Sequence, residues 1–369
     1  MGLWKKNLFV SEIPWSYYLH PCCKLYAEEL AGAGDGRTLW INPPTRNPFS
    51  MRLSIKNRNL LLFKPLMFKR SVDGLGFWRW EVKLQIYLIT RIFLGKPSSI
   101  WSISTAYDYL LRMFRPRISI FWSGDFFNPK KEFENYAQFD LTLCLTPDKF
   151  KQIPQAYSGE KMHFNMSCSG TFFEDREKLK NNPAIRQIIR KMEKYDTVAG
   201  YVGTLSMRRL DDELLEHLAK NLPNFLFLFI GKGDGTQNTD LKLEKLRRNE
   251  NFVTMDGFEY DQLPEVIELF DFCLIPYRTD EANLGTCPTK FIEYCAIGKP
   301  IIGTRLPGLE KFGDLLLLSD EKDEFTRHLR TGNSYFDEEV VTNQQKLAIN
   351  SSPRNFIEEF ARKTTKSKT

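Results

Sequence analysis

The sequence has no uninterrupted apolar run of the ~18 to 20 residues that a membrane-spanning helix needs. Arg79, Lys83 and Arg91 break the best candidate. The first residues also lack the pattern of a secretory signal, because Glu12 and Pro14 closely follow a short strand-like apolar run. We therefore expect a cytoplasmic protein without a spanning helix.

Paired cysteine spacings typical of a metal site are also missing. Several of the seven cysteines fall inside apolar runs, which favours reduced core residues in a cytosolic compartment. The chain has 369 residues, of which 42% are hydrophobic and 27% charged, so it is long enough for two soluble domains with full cores.

Positive charge is concentrated in one block. Residues 46–117 contain fourteen Lys or Arg and three acids, a net +11, whereas the rest of the chain carries about −5 against the total of +6. Aromatic and aliphatic residues alternate with these cations. A basic helix with aromatics on its other face fits an anionic membrane surface. The alternatives are a solvated basic face that covers core aromatics, and a nucleic-acid surface, for which no stacking or groove-reading motif is present.

The most informative stretch is residues 287–304. Pro288 fits the first turn of a helix, and Gly298 with Pro300 predicts a helix stop before a strand at Ile301. The apolar run at 270–276 predicts a preceding buried strand, which completes a βαβ unit.

Ligands of open parallel sheets lie beyond the carboxyl ends of the strands, where a helix N-terminus favours a phosphate. Thr286 and the amides after it would meet that phosphate. Glu293 lies four residues after Thr289 on the same helical face, within reach of a ribose whose hydroxyls a carboxylate accepts. The alternative is that Glu293 pairs with Lys290 on a solvated face.

The stretch Pro288-Thr-Lys-Phe-Ile-Glu-Tyr-Cys-Ala-Ile-Gly-Lys-Pro-Ile-Ile302 resembles the "P-x-K-x-x-E-Y-x-A-x-G-K-P-V-V" segment of GT-B nucleotide-sugar-dependent glycosyltransferases, of the group 1 superfamily that builds bacterial surface polysaccharides. The resemblance implies that Glu293 holds the donor ribose. Many retaining members carry a second glutamate eight residues earlier, where Gly285 stands here, so the stereochemistry stays open.

Two further segments resemble that family. Residues 201–211 are similar to its "V-G-R-L-x-x-x-K-G" loop, whose basic pair grips the donor diphosphate. Thr204 follows Gly203 where the arginine would stand, and Arg209, beside Arg208, takes the lysine position. A surface arginine that pairs with Asp212 or Glu213 is the alternative for Arg209. Residues 254–260 resemble the segment whose backbone meets the nucleobase, so Phe258 or Tyr260 becomes a stacking candidate.

In the GT-B topology that the resemblance implies, the first half of the chain binds the acceptor. Asp125 follows the predicted strand 118–122 and is our candidate for the base that deprotonates an acceptor hydroxyl in an inverting enzyme. A turn-capping aspartate is the alternative. His20 borders the expected acceptor cleft, with a helix cap as its alternative.

These observations predict an α/β protein of the GT-B class, in which two Rossmann-like, doubly wound domains face a central cleft. The acceptor domain would span residues 1–173 and the donor domain 174–351, while helix 352–369 packs back on the first. The catalytic candidates are Asp125, His20 and Arg209. Donor contacts are expected from the following residues: Gly203, Thr204, Arg208, Arg209, Phe258, Thr286, Lys290 and Glu293.

The predicted reaction is hexosyl transfer from a nucleotide sugar, with a UDP-sugar as the expected co-substrate, to a glycan or glycolipid acceptor on the inner face of the membrane. No metal or tightly bound cofactor is required, since cations and a helix dipole replace it and no Asp-x-Asp pair appears in a loop. Two other classes remain open: a nucleotide-sugar epimerase of the same fold, and a non-catalytic sugar-nucleotide-binding membrane scaffold. Nucleic acid is not an expected partner.

Overall fold

A computed structural model describes residues 4–16, 22–32, 36–67, 80–103, 108–123, 128–163, 166–174 and 183–366. Contacts divide the chain into two compact units, residues 1–165 with 353–369 and residues 166–352. The boundary falls after Asn165, not after residue 173, because Phe172 packs into the core of the second unit. Its ring centroid lies 5.5 Å from that of Tyr260.

Among the described residues, the strands of the first unit form a sheet in the order β3-β4-β2-β1-β5-β6-β7-β8. All neighbours are parallel except the β3–β4 pair, which is antiparallel. The strands are β1 (Lys6–Val10), β2 (Arg37–Ile41), β3 (Arg52–Asn57), β4 (Leu60–Lys64), β5 (Ser99–Ser102), β6 (Ile118–Trp122), β7 (Leu141–Cys144) and β8 (Glu160–His163).

Helices cover this sheet, and the last helix of the chain is one of them. They are α1 (Cys22–Gly32), α2 (Trp80–Phe93), α3 (Tyr109–Phe114), α4 (Phe133–Tyr136), α5 (Pro147–Gln152) and α15 (Pro353–Lys366). The ring of Phe356 lies 5.4 Å from that of Tyr26 in α1, and Arg354 Nε lies 2.8 Å from Glu29 Oε1. Residues 353–366 are therefore held to the first unit by apolar packing and an ion pair.

The second unit contains a parallel sheet in the order β11-β10-β9-β12-β13-β14. Its strands are β9 (Thr197–Val202), β10 (Phe225–Ile230), β11 (Phe252–Met255), β12 (Phe272–Ile275), β13 (Ile301–Thr304) and β14 (Leu317–Ser319). The runs Phe225-Leu-Phe-Leu-Phe-Ile230 and Phe272-Cys-Leu-Ile275 are buried almost throughout, as expected of parallel strands covered on both faces.

Helices precede, connect and follow these strands. They are α6 (Pro183–Met192), α7 (Asp212–Asn221), α8 (Gln237–Leu246), α9 (Leu263–Glu268), α10 (Glu281–Leu284), α11 (Thr289–Ile297), α12 (Pro307–Glu310), α13 (Lys322–Thr331) and α14 (Glu338–Asn350). The predicted helix stop is confirmed: Gly298 has a φ of 75° and its N–H donates to the carbonyl groups of Tyr294 and Cys295.

The cysteines predicted to be core residues are buried in both units. None of the seven, all of which lie in the described residues, forms a disulfide: Cys22, Cys23, Cys144, Cys168, Cys273, Cys287 and Cys295. Burial raises the pKa values of Cys273 and Cys295 well above the ordinary thiol value. These two thiols therefore act as small core residues rather than as nucleophiles.

Candidate functional site

The N-terminus of α11 lies beyond the carboxyl end of β12, as the sequence predicts. Pro288 is its N-cap and makes no side-chain capping hydrogen bond. Since a proline ring has no acceptor for the first amides of a helix, this end keeps its positive dipole without an internal counter-charge from the cap. Such an end favours an anion.

Glu293 is buried on α11, with only 6% of its surface exposed. Burial raises the pKa of its carboxyl group to about 7, although the charge of Lys290 and a hydrogen bond from Tyr260 oppose that rise. The alternative in which Glu293 and Lys290 pair on a solvated face is therefore wrong. The carboxyl group is instead buried, with a pKa near neutral pH.

The side chain of Lys290 is enclosed by two tyrosines. Its Nζ donates to the hydroxyl of Tyr277 at 2.5 Å, and it lies 4.9 Å from the ring centroids of both Tyr201 and Tyr277. Both tyrosines are almost fully buried, whereas Lys290 is only partly buried. The ammonium group thus has a fixed position at the edge of the core.

The loop that follows β9 approaches this lysine. Gly203 has a φ of 141°, and a Cβ atom added to it would lie 3.3 Å from Lys290 Nζ. Thr204 is held beside it, since its carbonyl accepts a hydrogen bond from the Tyr201 hydroxyl at 3.1 Å. The next loop is equally close, because a Cβ on Gly231 would overlap the carbonyl oxygen of Gly203. Only glycine permits both approaches.

A buried hydrogen bond ties α11 to the same strand. The N–H of Val202, the last residue of β9, donates to the hydroxyl of Tyr294 at 3.1 Å. The helix with Lys290 and the loop with Gly203 are therefore joined by a side chain as well as by packing.

Arg209 is half-buried, and its positive charge opposes the strong rise that burial causes in the pKa of Tyr201. The backbone carbonyl of Arg209 accepts a hydrogen bond from the Arg278 N–H at 2.7 Å, which fixes the loop to the segment after β12. Arg208 beside it is exposed.

The alternative for Arg209 is a surface pairing with Asp212 or Glu213, and both acids have other cationic partners. Asp212 instead pairs with Arg278 and with Lys242, the latter at 2.9 Å. Glu213 pairs with Lys322 at 2.9 Å. Both acids are thus engaged by other cations.

Two of the predicted donor contacts, Thr286 and Phe258, are more buried than we expect of residues that touch a ligand. Thr286 is 1% exposed, and its hydroxyl and its N–H both donate to the carbonyl of Asn283. Its hydroxyl proton therefore shapes the turn before α11. Phe258 is partly buried and packs against the core of the second unit.

The two acceptor-side candidates, Asp125 and His20, lie outside the described residues. The structure brings together Gly203, Thr204, Arg209, Lys290 and Glu293 through shared neighbours in the second unit.

Sequence reasoning missed two tyrosines of this cluster, Tyr201 and Tyr277, and considered Tyr260 only for stacking on a nucleobase. Tyr201 lies one residue before the end of β9 and Tyr277 follows β12, at the sheet edge where ligands of parallel sheets lie. Their position after apolar runs was the available signal.

The basic segment 46–117 is not one helix. It includes β3, β4, α2, β5 and α3. The outward face of α2 carries apolar side chains at intervals of four residues, with Trp80 71%, Leu84 47%, Leu88 48% and Ile92 80% exposed. Arg91 is exposed on the same face. The expectation that cations and aromatics occupy opposite faces is therefore wrong for α2.

Strand β3 extends this apolar surface to the edge of the sheet. Leu53 lies opposite Phe63, and Ile55 opposite Leu61, in the β3–β4 pair. Opposed residues project from the same face, and Phe63 and Leu61 pack in the same core as α2. Leu53 and Ile55 therefore lie on the α2 side of the sheet, 58% and 75% exposed. Within the described residues, no helix has the length and apolar character to cross a bilayer.

Comparison with known proteins agrees with this geometry. Residues 196–331 match the family described as "Glycosyl transferases group 1". A stretch of 114 residues is 32% identical to the "Putative teichuronic acid biosynthesis glycosyltransferase TuaH" of Bacillus subtilis (strain 168). That match covers 31% of this chain and spans only 28% of the length of the relative.

Solved structures match almost the whole chain in fold. Anabaena Alr3699/HepE in complex with UDP and glucose superposes with a TM-score of 0.70 at 13% identity, covering 98% of this chain and 99% of that one. The E. coli protein titled "Trehalose-6-phosphate", bound with UDP-2-fluoro glucose, gives a TM-score of 0.69 at 12% identity and covers 97% and 98%. The predicted GT-B class, with two Rossmann-like domains, is confirmed.

Proposed function

We propose, from the GT-B fold and the group 1 glycosyltransferase sequence of residues 196–331, that this protein transfers a sugar from a nucleotide sugar to a membrane-associated glycan. The donor would be a UDP-sugar and the acceptor a lipid-linked glycan of cell-surface polysaccharide synthesis. The enzyme would work at the inner, cytoplasmic face of the membrane.

The observation that carries this proposal is the buried carboxyl group of Glu293 behind the uncapped end of α11. Burial that raises the pKa of Glu293 to about 7 lowers the stability of the folded protein at neutral pH. Hydrogen bonds from a bound ligand to the carboxylate would offset this loss, which explains why a buried carboxyl group stands here. Ribose hydroxyls would donate to this carboxylate. The diphosphate would lie at the helix end, near Lys290 and Arg209.

The remaining donor contacts follow from the same placement. Gly203 and Thr204 would border the diphosphate with their backbone, and Arg208 would add charge from the exposed side of that loop. Thr286 would contribute the shape of the turn rather than its hydroxyl. Phe258 would lie near the nucleobase.

Transfer then requires one bond to form and one to break. An acceptor hydroxyl oxygen attacks the anomeric carbon, and the nucleoside diphosphate leaves with the electron pair of the glycosidic bond. Arg209 and Lys290 would stabilise the charge that grows on the leaving diphosphate. In an inverting reaction Asp125 would take the hydroxyl proton, a role that rests on its position in the sequence, as does the assignment of His20 to the acceptor side. The proposal assigns charge neutralisation to side chains and needs no resident metal or cofactor.

The acceptor class is inferred from the first unit. The exposed apolar side chains of α2 share that helix with Lys83 and Arg91, and those of β3 share that strand with Lys56. Amphipathic surfaces of this composition bind anionic bilayers through apolar insertion and electrostatic attraction together. A lipid-linked glycan is the glycan form that such a surface would meet.

A thermal-shift screen against UDP-, GDP-, dTDP- and ADP-sugars tests the donor site. A donor at a hundred times its dissociation constant stabilises a protein by about 2.7 kcal/mol. We expect one base to stand out and the shift to vanish in Glu293→Gln but to persist in Glu244→Gln, which changes an exposed glutamate of α8. Equal shifts in both variants would contradict the assigned role of Glu293.

Incubation of the same donor with and without anionic vesicles that carry extracted lipid-linked glycans tests the reaction. Transfer should require the vesicles. Conversion of the donor to its epimer without acceptor would identify an epimerase, and donor binding without transfer or slow hydrolysis would identify a scaffold.

A further inference from the structure

The contacts of Lys290 carry an inference about the tyrosines around it, which rests on the proposed donor site. A lysine ammonium has three N–H donors. One points to Tyr277, and the partly buried position of the side chain leaves the group reachable from outside. A free lysine loses considerable rotamer entropy when a ligand immobilises it, whereas an enclosed lysine has lost it during folding.

Tyr277 is itself rigid. Its N–H lies 3.1 Å from Thr304 Oγ1, and the Thr304 hydroxyl donates to the Tyr277 carbonyl at 2.6 Å. An isolated antiparallel bridge joins it to Leu210. The backbone that carries the Tyr277 ring is thus held by contacts to Thr304 and to Leu210.

The charge of Lys290 is not cancelled by the groups that face it. Burial raises the pKa of Tyr201 well above its ordinary value, so this tyrosine stays neutral and donates to the Thr204 carbonyl. Glu293 has a pKa raised to about 7, so its charge is incomplete at neutral pH. The ammonium charge of Lys290 is therefore not fully neutralised by these two groups, and an entering anion can neutralise it.

We propose that Tyr277 and Tyr201 are positioning residues that fix the ammonium group of Lys290 beside Gly203 as a diphosphate contact. The ammonium keeps its hydrogen bond to Tyr277 and gives its remaining N–H groups to phosphate oxygens. The phenol hydroxyl sets the direction of the ammonium group, and the two rings set its distance from the loop after β9.

Titration calorimetry with UDP, GDP, dTDP, ADP and inorganic pyrophosphate tests this assignment. Lys290→Met should weaken binding of the preferred diphosphate roughly tenfold to a hundredfold, the range of a hydrogen bond to a charged group. Tyr277→Phe keeps the ring and should weaken it about fivefold. Tyr335→Phe, which removes another tyrosine hydroxyl in this unit, is the matched control and should bind as wild type.

Two readouts separate positioning from a structural role. The free nucleoside of the preferred base should bind Lys290→Met and Tyr277→Phe as it binds wild type, because it carries no phosphate. Unchanged nucleoside binding would exclude a general loss of folding, and the melting temperatures of all variants check it independently.

The outcomes distinguish this inference from the proposed function. Diphosphate binding that is strong in wild type, lost in Glu293→Gln and unchanged in Lys290→Met and Tyr277→Phe would overturn the role of the tyrosines alone. Failure of wild type to bind any of the five probes would overturn the donor site, and this inference with it.

Discussion

The two units share a parallel, helix-covered sheet but place their charges differently. In the second unit, Lys220 and Lys245 of the outer helices both pair with Glu216, at 2.7 and 2.6 Å. In the first unit, the exposed face of α2 is mostly apolar. The same architecture therefore carries two kinds of surface: the outer helices α7 and α8 of the second unit are charged and suited to water, whereas the exposed face of α2 in the first is mostly apolar. We propose an anionic bilayer as the partner of that apolar face.

The sharpest test of this contrast concerns the buried charge of the second unit. The pKa of Glu293 is raised from 4.5 to about 7 by folding, so its ionisation destabilises the protein as pH rises through that interval. Stability from this group is complete below pH 4.5 and lost above about pH 7. We expect the free energy of unfolding of Glu293→Gln to exceed that of wild type by up to about 3 kcal/mol at pH 8, and to differ little from it at pH 4.5.

Urea titrations of both proteins at several pH values measure this difference. Parallel curves for wild type and Glu293→Gln across the whole range would mean that the carboxyl group is not buried in solution.

The apolar face of α2 gives the next largest expected effect. Leu84→Gln with Ile92→Gln removes two exposed apolar side chains, each worth on the order of 1 kcal/mol of insertion, so partition to anionic vesicles should fall roughly thirtyfold. Vesicle sedimentation measures it. Leu241→Gln is the matched control, since Leu241 is 59% exposed on α8 of the second unit. An equal effect of Leu241→Gln would remove the contrast between the units.

Arg91 tests the electrostatic part of the same surface. One cation near an anionic bilayer contributes about 1 kcal/mol, so Arg91→Gln should weaken vesicle binding about fivefold. The difference should disappear on neutral vesicles and shrink at high salt. If it persists on neutral vesicles, the loss reflects the packing of Arg91 over the Tyr87 ring, at 5.9 Å, instead of charge.

The smallest effect is expected at the solvated ion pairs of the second unit. Glu216→Gln breaks its pairs with Lys220 and Lys245, and exposed pairs stabilise little, so the melting temperature should change by about 2 °C or less. A larger loss in differential scanning calorimetry would show that the outer charges of this unit contribute to its fold, contrary to the comparison.

Local signals in the sequence were enough to predict the segment around α11. The apolar run before it, Pro288 at its start and Gly298 at its end each act within a few residues, and the structure has strand, helix and strand in those places. The spacing placed Glu293 on the face of the helix start, but it did not predict that this side chain would be buried.

Long-range contacts were beyond such reasoning. The enclosure of Lys290 joins Tyr201 of β9 to Tyr277 in the loop after β12, and only the folded sheet brings them together. Strand β3 was missed because Arg52-Leu-Ser-Ile-Lys-Asn57 is exposed along its whole length and lacks a buried run. The error on α2 has a related cause, since helical periodicity reveals an amphipathic pattern but not which apolar residues the core leaves outside.

The bond from Val202 to the Tyr294 hydroxyl has a consequence for how a ligand is received. It locks the spacing between the start of α11 and the loop beyond β9 before any nucleotide arrives. The start of α11 and the loop beyond β9 are then already ordered before a ligand binds. Binding of a nucleotide should therefore be fast and accompanied by a small heat-capacity change.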